Sequence, residues 1–151
     1  IYDIESVIVV GMSNGGMIAQ AIGCNLPDKV DAIINIAGMQ ALGMSCVPKQ
    51  PVTMVIYGAK NDTTVPPEDI LAADGYFYEP MANTVDDWKN AFNCNNSSKK
   101  EISNPAEVTV EHFFECDDNV TITSYLDHNN DHDWPKPYKW GIDLLFDPIL
   151  N

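Results

Sequence analysis

Apolar residues fall into two kinds of stretch along this chain. Short unbroken runs rich in β-branched residues occupy Ser6 to Val10, Ala32 to Ala37 and Pro51 to Tyr57, and each stops at a glycine: Gly11, Gly38 and Gly58. Runs of that length, bounded by turn signals, predict strands buried on both faces. Between the first two, Met17, Ile18, Ala21 and Ile22 recur at helical spacing until Asn25-Leu26-Pro27-Asp28 ends them. Buried strands separated by a helix or a long crossover predict a mostly parallel sheet with flanking helices.

The second half is patterned differently. Thr84-Val85-Asp86-Asp87 resembles a capping box and predicts a helix running to about Phe92. Asn93 to Glu107 is polar and reads as an exposed excursion. Val108 to Glu115 alternates, Asp117-Asp118-Asn119 turns the chain, and Val120 to Leu126 returns it. That is a hairpin whose later strand joins the main sheet. Beyond Pro135 to Pro137, the spacing of Trp140, Leu144, Leu145 and Ile149 predicts an amphipathic closing helix. Ile1 to Glu5 is a short lead-in. There is no internal repeat, and 151 residues make one domain at most.

Charge narrows the partners. Twenty-two acidic residues against 8 basic ones give a net charge of −14, and every basic residue is a lysine. Nucleic acid is held by Lys/Arg contacts to phosphate, so an acidic chain without arginine reads as no nucleic-acid binder. Bidentate arginine clamps on phosphate are excluded outright. A neutral ester suits this surface better. No apolar run approaches membrane-spanning length.

Cys24, Cys46, Cys94 and Cys116 admit three pairings and lack the Cys-x-x-Cys spacing of a zinc or redox site. They fall into one pair in each half, each closing a loop of about twenty residues, worth about 3 kcal/mol. The expected bridges are Cys24–Cys46 and Cys94–Cys116, which imply an oxidising, extracellular compartment. Sequons at Asn61, Asn95, Asn96 and Asn119 add weaker support for a secreted glycoprotein.

The chemistry begins where the first strand ends. Gly11-Met12-Ser13-Asn14-Gly15 is Gly-x-Ser-x-Gly between a buried-type strand and a helix, the context of a nucleophile elbow. Such a turn strains the serine and demands small residues two before and two after it, here Gly11 and Gly15. It also aims the next backbone N–H, that of Asn14, where an oxyanion develops. A serine nucleophile needs a base, and the base needs a carboxylate to fix its tautomer. Asp62 fits the acid, in the loop after the third strand; Asp28 and Asp69 follow strands less closely. The base belongs to a late loop. His112 lies inside an alternating strand, whereas His128 and His132 follow the last strand, and His132, farther along, is preferred with His128 as its rival.

The segment Asp127 to Asp133 invites a metal reading. Its first five residues fit Asp-x-Asn-x-Asp, but His132 stands where a calcium loop has glycine and Tyr138 where it has glutamate, so an EF-hand fails. His128 and His132 have the i, i+4 spacing of zinc ligands on a helix, in a stretch that favours a loop. Neither a metal nor a cofactor is expected.

Four motifs in order resemble a known family: Gly-Met-Ser-Asn-Gly-Gly-Met at 11–17, Leu-Pro-Asp at 26–28 followed by an apolar strand and Ala-Gly, Gly-x-x-x-Asp-x-x-Val-Pro at 58–66, and His-x-Trp-Pro at 132–135. From about Tyr2 to Trp134 the chain is similar to secreted polyhydroxyalkanoate depolymerases and feruloyl esterases, serine esterases of the α/β-hydrolase superfamily. The resemblance implies Ser13 as nucleophile, Asp62 as orienting acid and His132 as base. It also implies an oxyanion N–H from Asn14 and substrate contacts from Trp134 and Met12. Two departures stand out: Tyr57-Gly58 where the family has His-Gly, and Asn130-Asp131 where it has a glycine pair. The second sets a carboxylate beside the base.

In an α/β-hydrolase several strands precede the elbow. The expectation is therefore the C-terminal half of one α/β-hydrolase domain, spanning 1–151, its sheet completed by the N-terminal half of the same hydrolase or by a partner chain. The expected function is hydrolysis of carboxylic esters, of polyester or acyl-polysaccharide type, through an acyl-enzyme. The alternative is an inactive hydrolase-like structural module of an extracellular assembly.

Overall fold

The computed structural model describes residues 5–150; most of the lead-in, 1–4, lies outside the described residues. Six strands and three helices follow in the order β1 (Ile8–Met12), α1 (Asn14–Asn25), β2 (Ala32–Ile36), β3 (Thr53–Ala59), α2 (Met81–Ala91), β4 (Asn96–Ile102), β5 (Val108–Phe114), β6 (Ile122–Asp127) and α3 (Tyr138–Leu150). They form one mixed sheet, ordered β1-β2-β3-β6-β5-β4, in an α/β architecture. The β1–β2, β2–β3 and β3–β6 pairs are parallel, and β5 pairs antiparallel with both β6 and β4.

Strand side chains alternate between two cores. Ile33, Met54, Ile56 and Ile122 pack toward α1 and α2, which contribute Met17, Val85 and Trp88. Ile34, Ile36, Val55 and Tyr57 face the other way, against Trp140, Leu144 and Leu145 of α3. The unbroken apolar runs follow from this double coverage: β2 is buried at every position. Both expected disulfides are present, Cys24–Cys46 and Cys94–Cys116. The first ties α1 to the loop under α2, where the Trp88 indole N–H donates to the Cys46 carbonyl over 2.8 Å.

Two expectations need correction. The stretch 93–107 is no mere excursion: residues 96–102 form β4, an edge strand paired with β5. Its sequence, Asn-Ser-Ser-Lys-Lys-Glu-Ile, shows no apolar alternation because almost all of it is exposed, and backbone pairing alone defines it. Helix α2 starts at Met81 after Pro80, three residues ahead of the capping-box reading. Thr84 does not cap; it is buried, its hydroxyl 3.4 Å from that of Ser45. At the opposite edge, β1 pairs with β2 and leaves Val7 and Val10 more than a third exposed.

The register positions the site. Met12 lies opposite Ile36, Ile36 opposite Tyr57, and Ala59 opposite Asp127. The C-terminal ends of β1, β3 and β6 therefore share one rim, and the loops leaving those ends begin with Ser13, Lys60 and His128.

Candidate active site

Ser13 occupies the turn between β1 and α1 with φ 56° and ψ −126°. A non-glycine residue at positive φ costs about 1–3 kcal/mol and persists only where its surroundings fix it. Here the Ser13 N–H donates to the Ile36 carbonyl, and the Ser13 carbonyl accepts from Gly16 and Met17. Gly11 is required, since a Cβ there would collide with the Gly15 carbonyl. Gly15, in contrast to the expectation, faces open space. The second crowded position is Gly16, packed on the Asn35 side chain, and a Cβ at Gly38 would lie 2.5 Å from the Ser13 carbonyl oxygen. Small residues are needed where the turn meets β2 rather than two residues past the serine.

His132 reaches this turn from the loop after β6. Its Nε2 lies 2.9 Å from Ser13 Oγ, and its Nδ1 lies 2.7 Å from Asp62 Oδ2. A carboxylate only accepts, so Nδ1 carries the proton and Nε2 is left to accept from the serine hydroxyl. Asp62 is 1% exposed. Its other oxygen, Oδ1, accepts the N–H groups of Thr64 and Val65, each over 2.8 Å. Those bonds satisfy a buried charge and fix the carboxylate plane. The imidazole is partly exposed, the side-chain accessibility being 22%. This arrangement can take a proton from Ser13 on one nitrogen while the other stays anchored.

The rival residues are engaged elsewhere. His128 bonds Thr109 through Nε2, and His112 bonds Thr123 through Nδ1. Asp28 pairs with Lys29 at the surface, and Asp69 lies exposed in the loop beyond Pro67. Asn14 opens α1, so its N–H is one of the first-turn amides that a helix leaves without an internal acceptor. Met12 and Trp134 are both half-buried against the α3-side core. The open groove beside His132, about 340 Å³, is lined by Asn61, Thr63, Thr64, Asp131, Asp133 and Lys136, and Trp134 is not among them. Within that groove Lys136 pairs with Asp133 at 2.6 Å, and its ammonium holds the Asp133 carboxyl below the ordinary aspartate range. Among the described residues no three His, Cys, Asp or Glu side chains gather as a metal site.

Two features had no reading in the sequence. The first is a polar network under the His132 loop. The Tyr57 hydroxyl donates to Asp127 Oδ2 over 2.9 Å, and Asn130 Nδ2 donates to the Tyr57 oxygen over 2.9 Å. Burial pushes the Tyr57 hydroxyl far above the ordinary tyrosine range, and the Asp127 charge adds to it. A tyrosine in the middle of an apolar strand, with an aspartate closing the neighbouring one, was the available signal.

The second is an apolar ridge on loops 39–46 and 68–79, where Leu42, Met44, Leu71 and Tyr76 are exposed. The loops are joined by the Leu42 N–H to the Phe77 carbonyl, and Ala73 N–H reaches the carbonyl of Thr63, next to Asp62. The Tyr78 hydroxyl, pushed up to about 12 by its hydrogen bond to Asp74, also feels the Asp62 charge. The aromatic run Tyr76-Phe77-Tyr78 was its trace in the sequence. Among the described residues no helix is long and apolar enough to cross a membrane. No protein-family model matches the chain, and no curated protein matches it significantly.

Proposed function

We propose that the chain is a secreted serine esterase of α/β-hydrolase type, cleaving neutral carboxylic esters through Ser13, Asp62 and His132. The observation that carries this reading is the pair of hydrogen bonds running Asp62–His132–Ser13, 2.7 and 2.9 Å, between loops at one sheet rim. In the first step His132 Nε2 takes the Ser13 proton as Oγ bonds the ester carbonyl carbon. The carbonyl oxygen, now negative, is held by the Asn14 N–H. The C–O bond then breaks, the alcohol leaves with the proton from His132, and an acyl-serine remains. Water, deprotonated by the same nitrogen, releases the acid and restores Ser13.

The polyester or acyl-polysaccharide substrates implied by the motif resemblance agree with the ridge beside Asp62. Its two loops carry Glu68, Asp69, Asp74 and Glu79 and no lysine, which favours neutral, apolar esters over anionic ones. The two disulfides favour an oxidising compartment. Exposure of Val10 on edge strand β1, and of Val7 just before it, supports pairing with a further strand there, from an N-terminal half of the same hydrolase or a partner chain.

A fluorophosphonate probe tests the reading. Stoichiometric labelling of the assembled protein, lost in Ser13→Ala, is expected; absence of labelling would favour the non-catalytic structural module.

A further inference from the structure

The loop from Asp127 to Trp134 carries His132 at a point where no strand or helix supports it, yet the imidazole meets two partners on different loops. Its support comes from three side chains. Asp127, the last residue of β6 and 2% exposed, accepts the N–H groups of Asn129 and Asn130 on Oδ1, both at 3.0 Å. On Oδ2 it accepts the hydroxyl of Tyr57, which is fully buried in β3.

Asn130 is the junction. Its Nδ2 donates both to the Tyr57 oxygen and to the Trp134 carbonyl, each over 2.9 Å, and so closes a ring of chain with His132 at its centre. Its own carbonyl accepts from the N–H of Asn61, the residue before Asp62, over 3.2 Å. One side chain and its peptide therefore tie the base loop to the acid loop and to the sheet.

We infer that Tyr57, Asp127 and Asn130 are positioning residues that set the His132 imidazole against both Ser13 and Asp62. The inference deepens the function proposed for this site and rests on that reading. It makes the two departures from the family pattern, Tyr57 and Asn130, a single unit: the hydroxyl of one is the acceptor for the amide of the other. Replacing Tyr57 by phenylalanine keeps the ring volume but leaves Asn130 without one acceptor and Asp127 without one donor. Misplacement of a reacting group by about 1 Å can cost about a hundredfold in rate.

The test is a double-mutant cycle on ester hydrolysis, read together with proton NMR of the hydrogen between His132 Nδ1 and the Asp62 carboxylate. Tyr57→Phe and Asn130→Ala should each lower kcat about ten- to a hundredfold with KM within about twofold. The double variant should be no slower than the slower single, because both break one connection. In each variant the downfield imidazole resonance should broaden or vanish. Should Tyr57→Phe fail to fold, Asn130→Ala, in a loop, carries the test on its own kcat and resonance. Wild-type kcat with an unchanged resonance, or losses that multiply in the double variant, would overturn the inference. Failure of the esterase reading looks different: no Ser13-dependent hydrolysis in the wild type, while the resonance still depends on Tyr57 and Asn130.

Discussion

A serine hydroxyl attacks an ester only when its proton has a destination, and the structure offers one nitrogen for it. In the proposed reaction Asp62, 2.7 Å from Nδ1, holds the other nitrogen protonated. Asp62→Asn keeps the shape but offers an N–H to the imidazole and favours the wrong tautomer; kcat should fall about 10⁴-fold with KM little changed, measured by steady-state hydrolysis. A loss below tenfold would remove Asp62 from the acid role. At this scale much was legible. Ser13 announced itself by its glycine and its strand, and Asp62 by its place after one. His132 was separable from His128 only by loop position, and what places the two histidines differently is their partners: Thr109 takes one, Ser13 and Asp62 the other. Tyr57 and Asn130 each stood out singly, but their connection was not legible, because a hydrogen bond between residues 73 apart leaves no periodic trace.

Among elements, the strand–turn–helix of β1 and α1 sets the precision of the site. Gly11→Ala should unfold or misplace the turn, costing about 3 kcal/mol or more, since the neighbour it meets is a backbone carbonyl that cannot rotate away. Gly15→Ala meets open space and replaces a glycine in the first turn of α1, so it should be neutral or stabilise by up to about 1 kcal/mol. Urea unfolding of the two variants checks the contrast, and equal effects would refute the packing argument. Sequence pattern alone had weighted these glycines alike. Buried strands such as β2 were readable because burial on both faces writes itself as an unbroken apolar run. Edge strand β4 was not, because exposure on both faces writes nothing. Helix α2 was misplaced by a threonine that looked like a cap and turned out to be buried.

For the molecule as a whole, the mixed sheet has four consecutive parallel-paired strands and an antiparallel hairpin beyond them, an order that hydrophobic runs cannot encode. Both disulfides close loops of equal separation, 22 residues, so removing either by paired Cys→Ser substitution should cost about 3 kcal/mol in urea unfolding. Stability should also depend on pH through His112. Burial lowers its folded-state pKa from the ordinary 6.5, so the unfolded chain takes up the proton first. Stability is then fully present above about pH 6.5 and declines as pH falls toward the lowered value. The groove around His112 also holds Lys100, Tyr125 and Asp147, and His112→Gln should flatten that segment of the profile. An unchanged slope would mean that carboxylates alone govern the acid side.

The most direct test of the central claim is a pre-steady-state reaction with an activated ester of slow deacylation. A burst of released alcohol equal to the enzyme concentration is expected, with the acyl mass on the peptide containing Ser13 and no burst from Ser13→Ala. A wild-type protein giving no burst and keeping an unmodified Ser13 peptide would contradict it.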